Sequence, residues 1–220
     1  MNRLLPPVFA GIVPALLLSA GISVAGPKAT PPAGQWTPEH AWAWYDSQPW
    51  LVGCNFIPST AVNDVEMWQA ESFDPRTIDR ELGWAQDLGF NTVRVFVNYA
   101  PWEANAAGLK ENFRHFLKIA HQHRITTLAV LFDDCFKPEP HVGRQADPEP
   151  GVHNSQWVQS PGVKRRGDPT AWPKLEQYVK DMVGTFATDK RLLAWELYNE
   201  PSTSLPLVEA AFPEATEVMT

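Results

Sequence analysis

The stretch 191-RLLAWELYNEPS-202 sets the reading of the whole chain. Leu192 to Tyr198 is an apolar run of strand length that closes on Asn199-Glu200-Pro201. Proline has no N–H to give to a sheet ladder, so the strand stops there. The run thus delivers a carboxylate and a neutral amide to the C-terminal end of a strand. In parallel α/β proteins that end of the sheet is where ligands are held.

Upstream, strand-like and helix-like patterns alternate. The runs 125-ITTLAVLF-132 and 91-NTVRVFV-97 are short and β-branched, which predicts strands. A third apolar run of strand length is 50-WLVGCNFI-57. Between them, 74-DPRTIDRELGWAQDLG-89 predicts a helix with Asp74 as N-cap, Pro75 as first residue and Gly89 as terminator. Phe113, Phe116, Leu117 and Ala120 recur at helical spacing within 109–123. Leu175, Val179, Met182, Val183 and Phe186 do the same within 171–188. Residues 133–169, rich in Pro, Gly and Asp, predict a long loop. A last helix is expected to begin at Ser204, with Pro213 interrupting it.

This order, β-α-β-α-β-loop-α-β-α, implies a parallel sheet covered by helices. Right-handed crossovers leave two solutions, an open doubly wound sheet or a (β/α)8 barrel. No Gly-x-Gly-x-x-Gly follows the first strand and no phosphate-binding loop is present, so a nucleotide site has no support. Polar residues gather just after the strand ends, at Asn55, Asn98-Tyr99, Asp133-Asp134 and Asn199-Glu200. In a barrel all those ends open on one face, which favours the barrel.

Composition narrows the partners. The formal net charge is -7, and only 164-KRR-166 is locally basic. Nucleic acids and anionic membranes need clustered Lys and Arg, so neither is expected as a partner. Ten Trp in 220 residues suit carbohydrate, whose C–H faces stack on flat apolar rings. Asn2-Arg3, the apolar stretch Leu4 to Ile22 and the small residues Ser23-Val24-Ala25 read as a secretory signal over 1–25. A leader and first helix over 26–44 and the folded domain over 45–220 then follow. Secreted or periplasmic protein is expected, with no stable membrane span after cleavage. Export permits a disulfide, and the sequence leaves a Cys54–Cys135 bridge open. No Cys-x-x-Cys is present and no metal site is expected.

The segment WELYNEP resembles the end of the fourth strand in clan A retaining glycoside hydrolases, especially the cellulase and mannanase type of family 5. Residues 89-GFNTVRVFV-97 look like the second strand of that family, with Arg94 at its arginine position, and Trp50 to Phe56 looks like strand one. The likeness covers residues 45–210. It implies the N-terminal half of a (β/α)8 TIM barrel, about four β/α units long. It also implies hydrolysis of a β-linked polysaccharide or oligosaccharide by a retaining mechanism without a cofactor. Cellulose, mannan and xylan all fit as substrates.

By that resemblance Glu200 is the general acid/base, Asn199 hydrogen-bonds a sugar 2-OH, and Arg94 lies beneath and orients a carboxylate. An acid needs a carboxyl that holds its proton near neutral pH, which partial burial or a nearby negative charge can provide. The family's nucleophile, a Glu ending strand seven, is missing from this chain. The later acids Glu209, Glu214 and Glu217 follow no strand. A non-catalytic, secreted carbohydrate-binding remnant is the alternative. Trp68, Trp102, Phe136 and Trp157 fall in loops after the first three strands, as sugar platforms or as local packing. Asp133 and Asp134 either bind sugar or open the loop. Arg94 pairs with Glu196 on either reading, since alternation puts Glu196 on the side of Glu200. Family 5 often has a His after strand three, where this chain has none, and His141 or His153 would have to replace it.

Overall fold

The computed structural model describes residues 34–201. The expected signal, most of the leader, the helix from Ser204 and the acids Glu209, Glu214 and Glu217 lie outside the described residues. The elements in chain order are α1 (Pro38–Asp46), β1 (Gly53–Asn55), α2 (Asp64–Trp68), α3 (Pro75–Asp87), β2 (Thr92–Phe96), α4 (Tyr99–Gln122), β3 (Thr126–Asp133), α5 (Val163–Arg166), α6 (Trp172–Phe186) and β4 (Leu192–Asn199). The four strands form one sheet in the order β1-β2-β3-β4, and every neighbouring pair is parallel. No described helix is long and apolar enough to cross a membrane.

Local chemistry sets the helix ends. The Asp74 side chain accepts from the N–H groups of Arg76 and Thr77, satisfying two of the donors that every helix start leaves orphaned. At the other end Gly89 takes φ +87°, the left-handed conformation glycine adopts without strain. The Gly89 N–H then donates to Gln86 O and the Phe90 N–H to Ala85 O, a double bond pair that closes the α3 C-terminus. Asn98 caps α4 through the Ala100 N–H. That helix starts earlier than the periodicity suggests and carries a kink at Asn105, where φ is -155° and ψ is 81°.

Strand β1 is shorter than the apolar run 50–57, and Trp50 is 83% exposed. The reason is the pairing. Asn91 accepts the Val52 N–H at 2.8 Å and donates to Trp50 O at 2.8 Å, so a side chain replaces the ladder there. Gly53 is required where β1 comes close to β2, because a Cβ would sit 2.0 Å from the Thr92 carbonyl oxygen.

The core lies between the sheet and α3, α4 and α6. Val93, Val95 and Val97 pack with Ala129 and Leu131 against Ile78, Leu82, Phe113, Phe116 and Met182, all nearly fully buried. Arg94 and Glu196, alternate in their strands, belong to the opposite face. Inside this core stands Trp68, 0% exposed, with its Nε1–H donating to Phe96 O at 2.5 Å. Trp102 is 6% exposed, packs against Tyr99 and Tyr178, and donates to Asp181 Oδ2 at 2.8 Å. Neither indole offers a free face, so the expectation that Trp68 and Trp102 are sugar platforms is corrected: both are structural.

The segment 134–162 folds back on the sheet. Asp133 and Ser160 exchange backbone hydrogen bonds at 2.8 and 2.9 Å, and Lys137 pairs with Val158. This return lays a wall of loop residues over the C-terminal ends of β1 to β4.

Candidate active-site cleft

The cleft opens at the C-terminal ends of the strands and measures about 470 Å³. Its floor is polar. Arg94 on β2 reaches over β3 to Glu196 on β4, with Nε–Oε2 at 2.8 Å and Nη2–Oε1 at 2.5 Å. The same guanidinium donates to Asn199 Oδ1 at 2.8 Å and to Asn55 Oδ1 at 3.2 Å. Its planar fork can serve these acceptors at once, which a lysine could not. The Arg94 guanidinium also lies over the Phe96 ring, 4.6 Å from its centroid.

The second anchor is Asp133. Its carboxylate, 1% exposed, accepts the Cys135 N–H at 3.1 Å, Asn199 Nδ2 at 2.8 Å and Trp157 Nε1 at 2.7 Å. The Asn199 amide is therefore oriented from both ends, its oxygen toward Arg94 and its nitrogen toward Asp133. Trp157 stands edge-on to Phe96, ring centroids 5.1 Å apart, and lines the cleft. Asp133 is thus a positioning residue for both groups.

Asp134 turns away from the cleft. It pairs with Arg166 and accepts the Tyr198 hydroxyl at 2.7 Å, which ties the long loop to β4. Its expected role in sugar contact is corrected to a structural one. His141 is exposed on the loop and does not line the cleft, whereas His153 does, edge-on to Phe136.

Glu200 is exposed at the mouth. Cys135 Sγ donates to its Oε2 at 3.3 Å and accepts from Asn199 Nδ2 at 3.5 Å. Burial first, and then Asp133 and Glu200, push the Cys135 thiol up to about 12, so it stays protonated at neutral pH. Cys54 and Cys135 are both free. Among the described residues no group of His, Cys, Asp and Glu is arranged to hold a metal.

Backbone strain concentrates here. Four described non-glycine residues have positive φ: Arg124 (59°), Phe136 (66°), Asn154 (48°) and Glu200 (48°). Arg124 is explained by the end of α4, where the Ile125 N–H returns to Ala120 O. The other three line the cleft. Such conformations persist only where the surrounding structure over-determines them, and they tend to cluster at functional sites.

The sequence pointed to Glu200, Asn199, Arg94, Asp133 and Trp157, and the fold brings them together. It did not single out Cys135 or Phe96 for the cleft. Both were within reach of its rules, since Cys135 follows a strand end and Phe96 alternates with Arg94.

Comparison with solved structures bears on the fold. The exo-β-1,4-mannosidase Op5Man5 from Opitutaceae bacterium strain TAV5 aligns with 77% of this chain at 21% identity and a TM-score of 0.50. The chain folds as part of a (β/α)8 barrel. The β-mannanase of the blue mussel Mytilus edulis aligns with 69% of the chain and 41% of its own, at 19% identity and a TM-score of 0.46. A GH5_18 protein from Bifidobacterium longum subsp. longum, solved with Manβ1-4GlcNAc, aligns with 75% of the chain and 40% of its own, at 15% identity and a TM-score of 0.47. This chain spans 30% of the length of the Opitutaceae mannosidase. No family model and no curated protein matches the chain.

Proposed function

We propose that this chain forms part of an exported family 5-type glycoside hydrolase that cleaves a β-linked polysaccharide with retention. Glu200 serves as general acid/base. The supporting observation is the strand-end constellation, in which Asn199-Glu200 leave β4 above an Arg94–Glu196 pair and beside an oriented Trp157. Asn199 is pinned by Arg94 and Asp133, and its amide oxygen keeps one acceptor position for a sugar hydroxyl without changing the charge balance at Glu200. Trp157 and Phe136 supply ring faces and edges to the sugar's C–H surface.

A retaining mechanism uses two carboxyl groups about 5–5.5 Å apart, one of them a nucleophile. Asp133 and Glu196 do not suit that second role, because three donors occupy the first and a bidentate guanidinium the second. Among the described residues no strand-end carboxylate is assigned as the nucleophile.

Calorimetric titration of the chain with β-1,4-linked manno- and cello-oligosaccharides tests the cleft. Saturable binding is expected, weakened about tenfold by Trp157→Ala through the lost stacking. Absence of saturable binding, or undiminished affinity in both Trp157→Ala and Asn199→Ala, removes the reading. In the protein that carries both carboxylates, Glu200→Gln is expected to lower kcat about 10²–10⁴-fold. An unchanged kcat would take the acid/base role from Glu200.

A further inference from the structure

Glu200 leaves the sheet on a strained residue. Its φ of +48° lies in the left-handed region, and Pro201 follows directly, which narrows the backbone choices further. Something must fix where the exposed carboxyl points. Arg94 is bound to Glu196, Asn55 and Asn199, and no hydrogen bond joins it to Glu200. Asn199 turns its amide inward to Arg94 and Asp133. The group that does reach Glu200 is Cys135, with Sγ 3.3 Å from Oε2.

Cys135 is itself well held. Its N–H is anchored on Asp133 at 3.1 Å, and its sulfur accepts from Asn199 Nδ2 at 3.5 Å. The sulfur therefore has its own donor on one side and directs its S–H to the carboxylate on the other. Chain order gives the same picture, since Cys135 follows the end of β3 and Glu200 follows the end of β4, neighbouring parallel strands.

We propose that Cys135 is a positioning residue for Glu200, its thiol donating a weak hydrogen bond that aims the carboxyl into the cleft. This rests on the reading of Glu200 as acid/base. A thiol suits the task because it is a poor donor. A strong donor favours the charged carboxylate and so depresses the pKa that an acid needs. A thiol orients the group at little cost to its proton. The other charged or titratable groups that face this part of the cleft are Asp133 from β3, His153 from the long loop, and Arg94 with its partner Glu196 behind Asn199.

The test is a carbon-detected NMR titration of the Glu200 side-chain carboxyl in the full chain, assigned by its loss in Glu200→Gln. Cys135→Ser, a stronger donor in the same place, is expected to lower the midpoint by about half a pH unit. Cys135→Ala, with no donor, is expected to raise it by a smaller amount. Midpoints unchanged in both variants, with amide spectra showing an intact fold, would overturn the proposal. Should Cys135→Ala fail to fold, Cys135→Ser decides alone: a lowered midpoint upholds the contact and an unmoved one refutes it. The readout needs no turnover, so failure of the hydrolase reading and failure of this contact are separable. Opposite shifts in the two variants uphold the contact even if Glu200→Gln leaves hydrolysis unchanged.

Discussion

Arg94 on β2 and Glu196 on β4 form a bidentate ion pair across the intervening strand β3, with contacts of 2.8 and 2.5 Å. Neighbouring strands lie about 4.8 Å apart, so the pair bridges roughly twice that distance. Only side chains on the face opposite the helices can meet this way, and there they lock the register of β2 and β4 beneath the cleft.

The pair sets the first prediction. Arg94→Ala strips Glu196, Asn199 and Asn55 of a shared donor. Both partners are partly exposed, 25% and 30% by side chain, which discounts the loss. A destabilisation of about 1–2 kcal/mol is expected by urea unfolding, together with weakened saccharide binding as Asn199 loses its orientation. Arg94→Lys keeps the charge but not the fork, and is expected to recover less than half of the binding. Full recovery by lysine would show that charge alone matters.

Two tryptophans that look alike in the sequence should behave differently. Trp68 is wholly buried with its N–H bonded to Phe96 O, so Trp68→Ala is expected to cost about 3–5 kcal/mol in thermal or chemical unfolding. Trp157 lines the cleft and should mainly affect affinity, with a smaller loss of stability. Equal stability losses in the two variants would contradict this division.

Asp64 makes folding stability depend on pH. Its buried carboxyl is raised to about 8, by burial first, with the nearby charge of Asp133 adding. In the unfolded chain the value is about 3.9. Between about pH 4 and 8 the folded state keeps a proton that the unfolded chain has lost, so this group lowers stability as pH rises through that window. Below it both states are protonated, and above it the penalty is complete. Asn98 Nδ2 holds one oxygen at 3.0 Å while Oδ1 has no partner. The stability difference between Asp64→Asn and the parent chain should therefore climb from pH 4 to 8. A flat difference over that range would place the proton elsewhere.

The two thiols should alkylate at different rates. Cys54 is exposed, whereas the Cys135 thiol is pushed to about 12 by burial, Asp133 and Glu200. The thiolate is the reactive form. With iodoacetamide at pH 8, peptide mass spectrometry is expected to show Cys54 modified well before Cys135. Faster reaction at Cys135 would mean that its neighbours do not suppress ionisation.

Much of the fold was legible because its signals are local. Asp74, Pro75 and Gly89 mark α3 through backbone donors and a φ sign that act within a few residues. The parallel sheet was legible from alternation, and the cleft from the position of Asn199-Glu200 after an apolar strand. The extent of β1 was not, because it ends where the Asn91 side chain takes over the ladder from 39 and 41 residues away.

The sequence by itself determined the alternation of the four strands with α3, α4 and α6, the caps of α3, and the presence of a carboxylate and an amide at a strand end, but not the short helices α2 and α5. These depend on short-range sterics and on the periodicity of apolar residues. Only the tertiary structure decided which Trp is core and which faces the cleft. It also decided that Asp133 orients while Asp134 ties down the loop, and that Cys135 meets Glu200. Those outcomes depend on which residues 24 to 79 positions apart come within about 3 Å, and the hydrogen-bond and burial energies that select them exist only once the sheet has assembled.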